Sequence, residues 1–421
     1  MNRFFGLLGL GLLTLGACSQ NETPPQKDVP IPSNKVIVAP PVLTPDMKTA
    51  VEAQYSMAAS FLSRMVKGNY SSNVAFSPYS FHTALSMLAN GASEDVAMEL
   101  KNLLEIDDFA LLNSTASTLA HSVDALDAEV TLDIANALWS DISLNVRDDY
   151  KSMLTGFYNA DYFAVDYLQS GTTDKINEWV EVKTGGKIRN FYDEPEVGPV
   201  TLVNALYFKG DWSVPFSPDK DKVRFRLPGK SEDVEAMYGA AMPARYSVSE
   251  LGRTLTLPFG SGSYRMTVVL PPEEVFFPED YVEYVSTLDG PKLARLATPG
   301  DAVKIDVKLP KFTVDVKTQF RSMMKDMGCG KLFETSRWPG ISSDERPIHF
   351  DDVQQAVSFG INYKGGEGAA ATGSVAVTSP GPGAPEPEKL RFVVDRPFIF
   401  IVTECGCNTP LFMGFIRNPS F

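Results

Sequence analysis

Fifteen consecutive residues, Gly365–Ser379, contain no proline, and after Glu367 none of them carries a charge. The stretch stops where Pro380, Pro382, Pro385 and Pro387 begin. Proline lacks the backbone N–H that a central strand must donate, so it is confined to the edges and ends of sheets. This stretch can therefore enter the middle of a sheet, yet its glycine content makes it a weak strand in isolation. Side chains alternate along a strand. One face would carry Gly366, Gly368, Ala370, Thr372, Ser374, Ala376 and Thr378, all small and uncharged. The other would carry Glu367, Ala369, Ala371, Gly373, Val375 and Val377, with one charge near its start. At about 3.3 Å per residue the stretch spans roughly 50 Å, enough to cross a large sheet. A segment that can become a strand, but need not be one, suggests a switch.

The rest of the chain is long enough to hold one large core: 421 residues, 44% hydrophobic and 21% charged. A net charge of −14 argues against a nucleic-acid partner, because phosphate binding needs clustered Lys and Arg. No internal apolar run approaches the 18 or so residues needed to span a bilayer.

The N-terminus has a different character. Asn2 and Arg3 precede an apolar stretch from Phe4 to Leu15, followed by Gly16, Ala17 and Cys18. A basic start, a short apolar core and small residues before the cut mark a secretory signal over residues 1–17. Leu15-Gly16-Ala17-Cys18 resembles the lipobox of bacterial lipoproteins, which implies a lipidated Cys18 on a mature protein. Residues 18–46 then read as a lipid-bearing cysteine and a Pro-rich tether without helical or strand periodicity. Helical patterning starts near Met47.

Apolar positions recur at helical spacing over residues 47–67, 78–92, 95–104 and 174–186, the last with Trp179 and Val180 on its apolar side. Strand-like runs follow at Val200–Phe208, Thr254–Pro258, Tyr264–Leu270, Ala302–Leu309, Phe392–Val394, Phe398–Thr403 and Leu411–Ile416. Helices lead and strands follow, which predicts one α+β domain over residues 47–421. Gly260-Ser261-Gly262-Ser263 reads as a hairpin turn, and so does Cys405-Gly406-Cys407. With Cys18 set aside, Cys329, Cys405 and Cys407 leave at least one thiol without an intramolecular partner.

Catalytic signatures are missing from the sequence. The three histidines, His82, His121 and His349, form no His-Glu-x-x-His zinc motif, and no Gly-x-Ser-x-Gly elbow occurs. Gly366-Glu367-Gly368-Ala369-Ala370-Ala371 matches a dinucleotide fingerprint in letters only. That motif needs a helix behind it to meet the pyrophosphate, and Thr372–Pro382 cannot hold one. Neither a cofactor nor a metal is expected, and the chain reads as a protein without catalytic machinery of its own.

Several motifs then converge. Asn73-Val74-Ala75-Phe76-Ser77-Pro78-Tyr79-Ser80, continuing through Ala84–Leu88 and Gly91-Ala92, resembles the early helix of the serpin family. Ile176–Val180 with Thr184 and Gly186-Lys187-Ile188 is similar to a second family motif, and Leu202–Trp212 to a third. Leu309–Phe312, Ile341–Asp344, Arg396–Phe400, Pro410–Gly414 and Asn418-Pro419 follow in family order. The resemblance implies a serpin fold of three β-sheets and about nine helices, with an exposed reactive-centre loop at about residues 363–391. It also implies a suicide-type, irreversible inhibitor of serine or cysteine endopeptidases. Cleavage of the loop would form an acyl-enzyme, and the freed loop would insert as a new central strand.

Carried over residue by residue, the family hinge pattern falls on Asn362–Thr372, which makes Gly365, Gly366, Glu367, Gly368, Ala369, Ala370, Ala371 and Thr372 the hinge residues the resemblance implies. Gly366 stands where the family usually has Thr, and Gly368 where it usually has Ala. Each extra Gly raises the cost of ordering the strand by about 0.5–1 kcal/mol, which favours cleavage as a plain substrate over trapping. Counting from the hinge puts the reactive bond at Ser379–Pro380, with Thr378–Ser379 and Val377–Thr378 open because proline is a poor residue after a cut. Every choice puts a small or branched residue before the bond, which points to an elastase-like or subtilisin-like target. Ser77, Ser80 and Asn204 fall on positions where the main sheet is locked, and Trp212 on the point of loop entry. Gln355 stands at the family's usual His; it can bridge strands but cannot titrate. The expected whole is a monomer in the bacterial cell envelope, anchored through Cys18 on the periplasmic or outer face of the outer membrane, with a target protease as its covalent partner. A serpin-fold substrate, decoy or binding module without inhibitory action is the alternative.

Overall fold

Prolines and small polar residues set where the helices begin. The computed structural model describes residues 38–120, 123, 126–193, 199–217, 221–344, 346–366 and 389–420. The expected signal segment and lipidated Cys18, His121, the hinge from Glu367 to Thr372 and the reactive bond at residues 377–380 lie outside the described residues. Thr44 accepts the Met47 N–H at 3.2 Å and Pro45 opens α1, Pro45–Gly68, so packed structure begins slightly before Met47. Leu43 is buried as well. After β1 (Val74–Phe76), Ser77 caps α2 (Pro78–Gly91) in the same way, accepting from Ser80 N at 3.2 Å.

The first half continues with α3 (Glu94–Leu104), α4 (Phe109–Ala120), β2 (Val130–Asp141), α5 (Asp148–Tyr158), β3 (Asp161–Val165) and α6 (Thr172–Lys183). Strands then dominate: β4 (Val200–Asp211), β5 (Asp221–Leu227), β6 (Lys230–Ser249), β7 (Gly252–Phe259) and β8 (Tyr264–Leu270). Short helices α7 (Pro278–Ser286) and α8 (Gly290–Ala297) lead into β9 (Asp301–Pro310) and β10 (Phe312–Gln319), and α9 (Arg321–Asp326) precedes β11 (Gln354–Ile361). The two-residue β12 (Gly365–Gly366), then β13 (Arg391–Val393), β14 (Phe398–Glu404) and β15 (Pro410–Ile416) end the chain. Both expected hairpin turns are present, one between β7 and β8 and one between β14 and β15.

The described strands form two hydrogen-bonded networks. One orders β1-β15-β14-β8-β7-β6-β9-β13 with β5 added to β6; the other orders β10-β11-β4-β2-β3 with β12 added to β4. The three sheets expected from the family resemblance therefore appear as two networks, because β6 runs from one sheet into the next. It pairs with β5 over Lys230–Ala236, with β7 over Arg245–Ser249 and with β9 over Ala236–Tyr246, and the β9 register slips between Gly239 and Met242.

Packing fixes what lies on each side of the second network. Phe208, Phe359, Phe400 and Phe412 join the two networks in one apolar layer, with Phe359 and Phe400 stacked at 5.0 Å. On the opposite face α6 buries Ile176 and Val180 against Ala135, Ala137, Ala205 and Ala356. Phe61, Phe81 and Phe320 fill the third cluster beneath α1 and α2, with Phe81 stacked on Phe320 at 4.1 Å. The second network is thus covered on both faces at its centre, and a new strand can enter it only edge to edge.

Candidate functional site

The centre of the second network contains a seam. β4 pairs with β2 along nearly its whole length, from Val130↔Gly210 to Ser140↔Val200. On its other edge β4 meets β11 at only two parallel positions, Ala356↔Ala205 and Val357↔Leu206. β11, by contrast, is fully paired with β10 from Phe312↔Ile361 to Gln319↔Gln354. Above Leu206 the β4 edge is left to β12, where Gly365 faces Asp211 and Gly366 faces Gly210 in antiparallel register. The stretch singled out in the sequence has already placed its first two residues in the sheet.

A tight turn brings β12 back from β11. Asn362 N donates to Gly365 O at 2.8 Å and Gly365 N donates to Asn362 O at 3.1 Å. Trp212 holds this turn from the β4 side. Its indole Nε1 donates to Asn362 O at 2.9 Å and its backbone N to Lys364 O at 2.6 Å. Its ring stacks on Phe259 at 4.3 Å, so Trp212 is both core filler and the post beside the entry point. Close packing also dictates glycine at 365: a Cβ there would lie 2.2 Å from Gly210 O and 2.4 Å from Asp211 Cα. At Gly366 a Cβ would meet its neighbours at an ordinary 3.5 Å.

Below the seam a buried polar cluster joins three strands and a helix. Gln355 Oε1 accepts Ser77 N at 2.7 Å, and Gln355 Nε2 donates to Ser77 O and to Asn204 Oδ1, both at 3.2 Å. Ser80 Oγ donates to the same Asn204 oxygen, and Asn204 Nδ2 donates to Asn136 Oδ1 at 2.5 Å. Gln355 on β11 and Asn204 on β4 thus face each other across the seam, tied to the start of α2. All four residues named from the sequence, Ser77, Ser80, Asn204 and Gln355, come together here. Asn136 was not among them; an Asn in the apolar middle of β2 is the signal that points to it. Asn204→Ala would leave Ser80 Oγ and Asn136 Oδ1 buried without these partners, at about 1–3 kcal/mol each. A fall of about 2–6 kcal/mol in urea-unfolding stability is expected, and a loss under 1 kcal/mol would show that water replaces Asn204.

A strap covers the seam from the α6 side. Phe191 is fully buried in the α6 cluster, and its carbonyl accepts Gln354 Nε2 at 2.5 Å. Asn177 of α6 and Tyr192 exchange two hydrogen bonds of 2.8 Å, and Lys317 on β10 pairs with Asp193 at 2.8 Å. Any strand added between β4 and β11 must move beneath this strap or displace it.

Titratable groups near the seam are few. His82, one turn into α2, is buried, and burial lowers its imidazole from an ordinary 6.5 to about 4. Its Nε2 has no partner. Between those values the unfolded chain holds the extra proton, so the His82 contribution is full above about pH 6.5 and fades as pH falls toward 4. The loss amounts to about 3 kcal/mol, and His82→Leu should flatten the pH dependence of the urea midpoint across that window. An unchanged slope would overturn it. The thiols of Cys329, Cys405 and Cys407 are free, and burial pushes Cys329 and Cys407 up to about 12 and Cys405 in the same direction. No group of three or more metal-ligating side chains occurs among the described residues.

The family profile described as Serpin (serine protease inhibitor) matches residues 52–419. The chain is 26% identical over 424 residues to a serpin-like protein of Methanosarcina mazei, covering 97% of this chain and 96% of that protein. It is 30% identical to Iripin-8 of Ixodes ricinus, covering 85% of this chain and 90% of Iripin-8. The native-state crystal structure of the thermophilic serpin Tengpin superposes with a TM-score of 0.78 at 22% identity, over 90% of this chain and 96% of that one.

Proposed function

The chain belongs to the serpin family, and from that premise we propose that it is a single-use inhibitor of serine endopeptidases with elastase-like or subtilisin-like preference. The observation that carries this reading is β12: Gly365 and Gly366 already occupy the β4 edge at the mouth of the seam. Beyond Glu367, the segment Gly368–Ser379 has the alternation and lack of charge needed to continue along that edge. In this reading the protease serine attacks the carbonyl of Ser379, or of Thr378 or Val377, and an ester joins the two proteins as the downstream peptide leaves. The freed strand then zips along β4 and carries the enzyme with it, distorting the enzyme before water can cleave the ester. The victim supplies the nucleophile, and this chain supplies the peptide bond and a lower-energy sheet.

The reading extends to location. The basic start, apolar stretch and Leu15–Cys18 motif support lipidation of Cys18, which would hold a monomeric inhibitor in a bacterial cell envelope. Cysteine endopeptidases are included as targets, since they too pass through an acyl intermediate.

A second reading has its own observation. With Gly at 366, no side chain fills the space beside Phe208, so the first inserted residue buries little. A loop that inserts slowly is cut and released, which makes the chain a substrate or decoy. Incubation with an elastase-like protease, followed by a denaturing gel and mass spectrometry, separates the two. A denaturant-resistant adduct whose mass is the sum of the two proteins less the released C-terminal peptide, which starts between residues 378 and 380, is the expected result. Cleavage without an adduct selects the decoy, and neither product overturns both.

A further inference from the structure

An acidic chain gathers cations around one groove. The outer face of β5 carries Lys222, Arg224 and Arg226 at alternate positions, and a cavity of about 520 Å³ opens beside it. Lys222, Arg224, Lys308 and Arg391 line it around Tyr238, which is 37% exposed. The two carboxylates in the lining are already engaged. Asp306 accepts Ala241 N at 2.8 Å, and Asp395 is held between Arg226 at 3.1 Å and Arg396 at 3.0 Å. Lys308 pairs with Asp221 at 3.0 Å, and Arg224 only loosely with Asp233 at 3.5 Å. Among the described residues Lys222 and Arg391 have no ion pair. Unpaired cations held together repel, and they are surplus to a fold whose net charge is −14.

The position of the groove selects its occupant. Arg391 opens β13, the first described strand after the bait segment, so the groove lies at the C-terminal root of the segment an endopeptidase must grip. We propose that this groove is a docking site for a carboxylate-rich rim of the target endopeptidase, an inference that rests on the inhibitor reading above. Opposite charges at the rim of an encounter raise the association rate and choose among enzymes of equal cleavage preference. The groove then selects targets that the bait residues alone do not distinguish.

The test uses the full chain, its Lys222→Glu/Arg391→Glu variant and two serine endopeptidases that cut after small residues, one with an acidic rim around its cleft and one with a basic rim. Both substitutions are at exposed positions, and equal melting temperatures confirm folding. The variant should react with the acidic-rimmed enzyme at least about tenfold more slowly at low salt, with a shallower salt dependence and an unchanged ratio of adduct to cleaved product. The basic-rimmed enzyme should react no more slowly. Equal slowing with both enzymes, or no slowing, overturns the proposal. So does a loss confined to binding of a sulfated polysaccharide, which would make the groove a glycan site. If neither enzyme forms an adduct, the trapping reading fails separately. Docking is then read from binding of the acidic-rimmed enzyme with its catalytic serine changed to alanine, which the variant must weaken by a similar factor.

Discussion

Cutting the bait segment between residues 377 and 380 is expected to raise the melting temperature of the remainder by at least about 15 °C. In the intact chain the edge of β4 opposite β2 has no strand partner between Leu206 and Gly210, and the residues able to fill that edge are joined at both ends to the body. One cut frees the N-terminal part to continue from Gly366 along β4. Each residue entering between two strands gains about 2 kcal/mol of net hydrogen bonding. Burial of one small side chain adds about 0.5 kcal/mol. Ordering the residue costs about 1.5 kcal/mol. A net of about 1 kcal/mol over a dozen residues gives about 12 kcal/mol, and a domain of this size unfolds with an entropy near 0.8 kcal/mol per kelvin. Calorimetry of the intact and nicked protein measures the shift directly. A nicked protein that melts with the intact one has not inserted its strand, and the trap would then have no driving force.

Much of the frame was legible because strong local signals coincide with tertiary demands. β14 and β15 are buried at every position and read as continuous apolar runs, so their hairpin was found from sequence. Ser77-Pro78 announces α2 by cap and first-turn proline together. β2 was not legible, because both of its faces are covered at its centre and the alternation disappears into Ala135-Asn136-Ala137. β6 was missed for the opposite reason: its outer face is charged, its Gly239 and Pro243 read as breakers, and tertiary pairing overrides its weak propensity. At the site, Gln355 and Asn204 were assigned through the family resemblance. Their joint hold on Ser77 and Ser80 depends on strands 151 residues apart meeting at one seam, which no local pattern records.

Replacing Gly365 with alanine should turn a trapping chain into a substrate, whereas replacing Gly366 with threonine should do the reverse. The two glycines are neighbours in one strand, but they face different surroundings. A methyl at 365 would overlap the backbone of β4, at 2.2 Å from Gly210 O, and backbone cannot rotate away as a side chain can. β12 must then leave the sheet and lose its pairing to Gly210 and Asp211, so insertion starts without its first contacts. The cut itself, more than ten residues away, should proceed at its usual rate. The adduct is therefore expected to fall to about a tenth of the parental yield or less while cleaved product accumulates, a partition change worth about 1.4 kcal/mol or more. At 366 the Phe208 ring stands 3.5 Å from the point a Cβ would occupy, so a side chain fits and packs there. Threonine restricts the unfolded loop and favours the extended state, which contributes about 0.5–1 kcal/mol toward insertion and should shift partition two- to fivefold toward adduct. Gel densitometry of adduct and cleaved bands at fixed protease reads both variants in one experiment. Equal partition in the parent and in Gly365→Ala would mean that β12 plays no part in starting insertion, and the seam would lose its role as the point of entry.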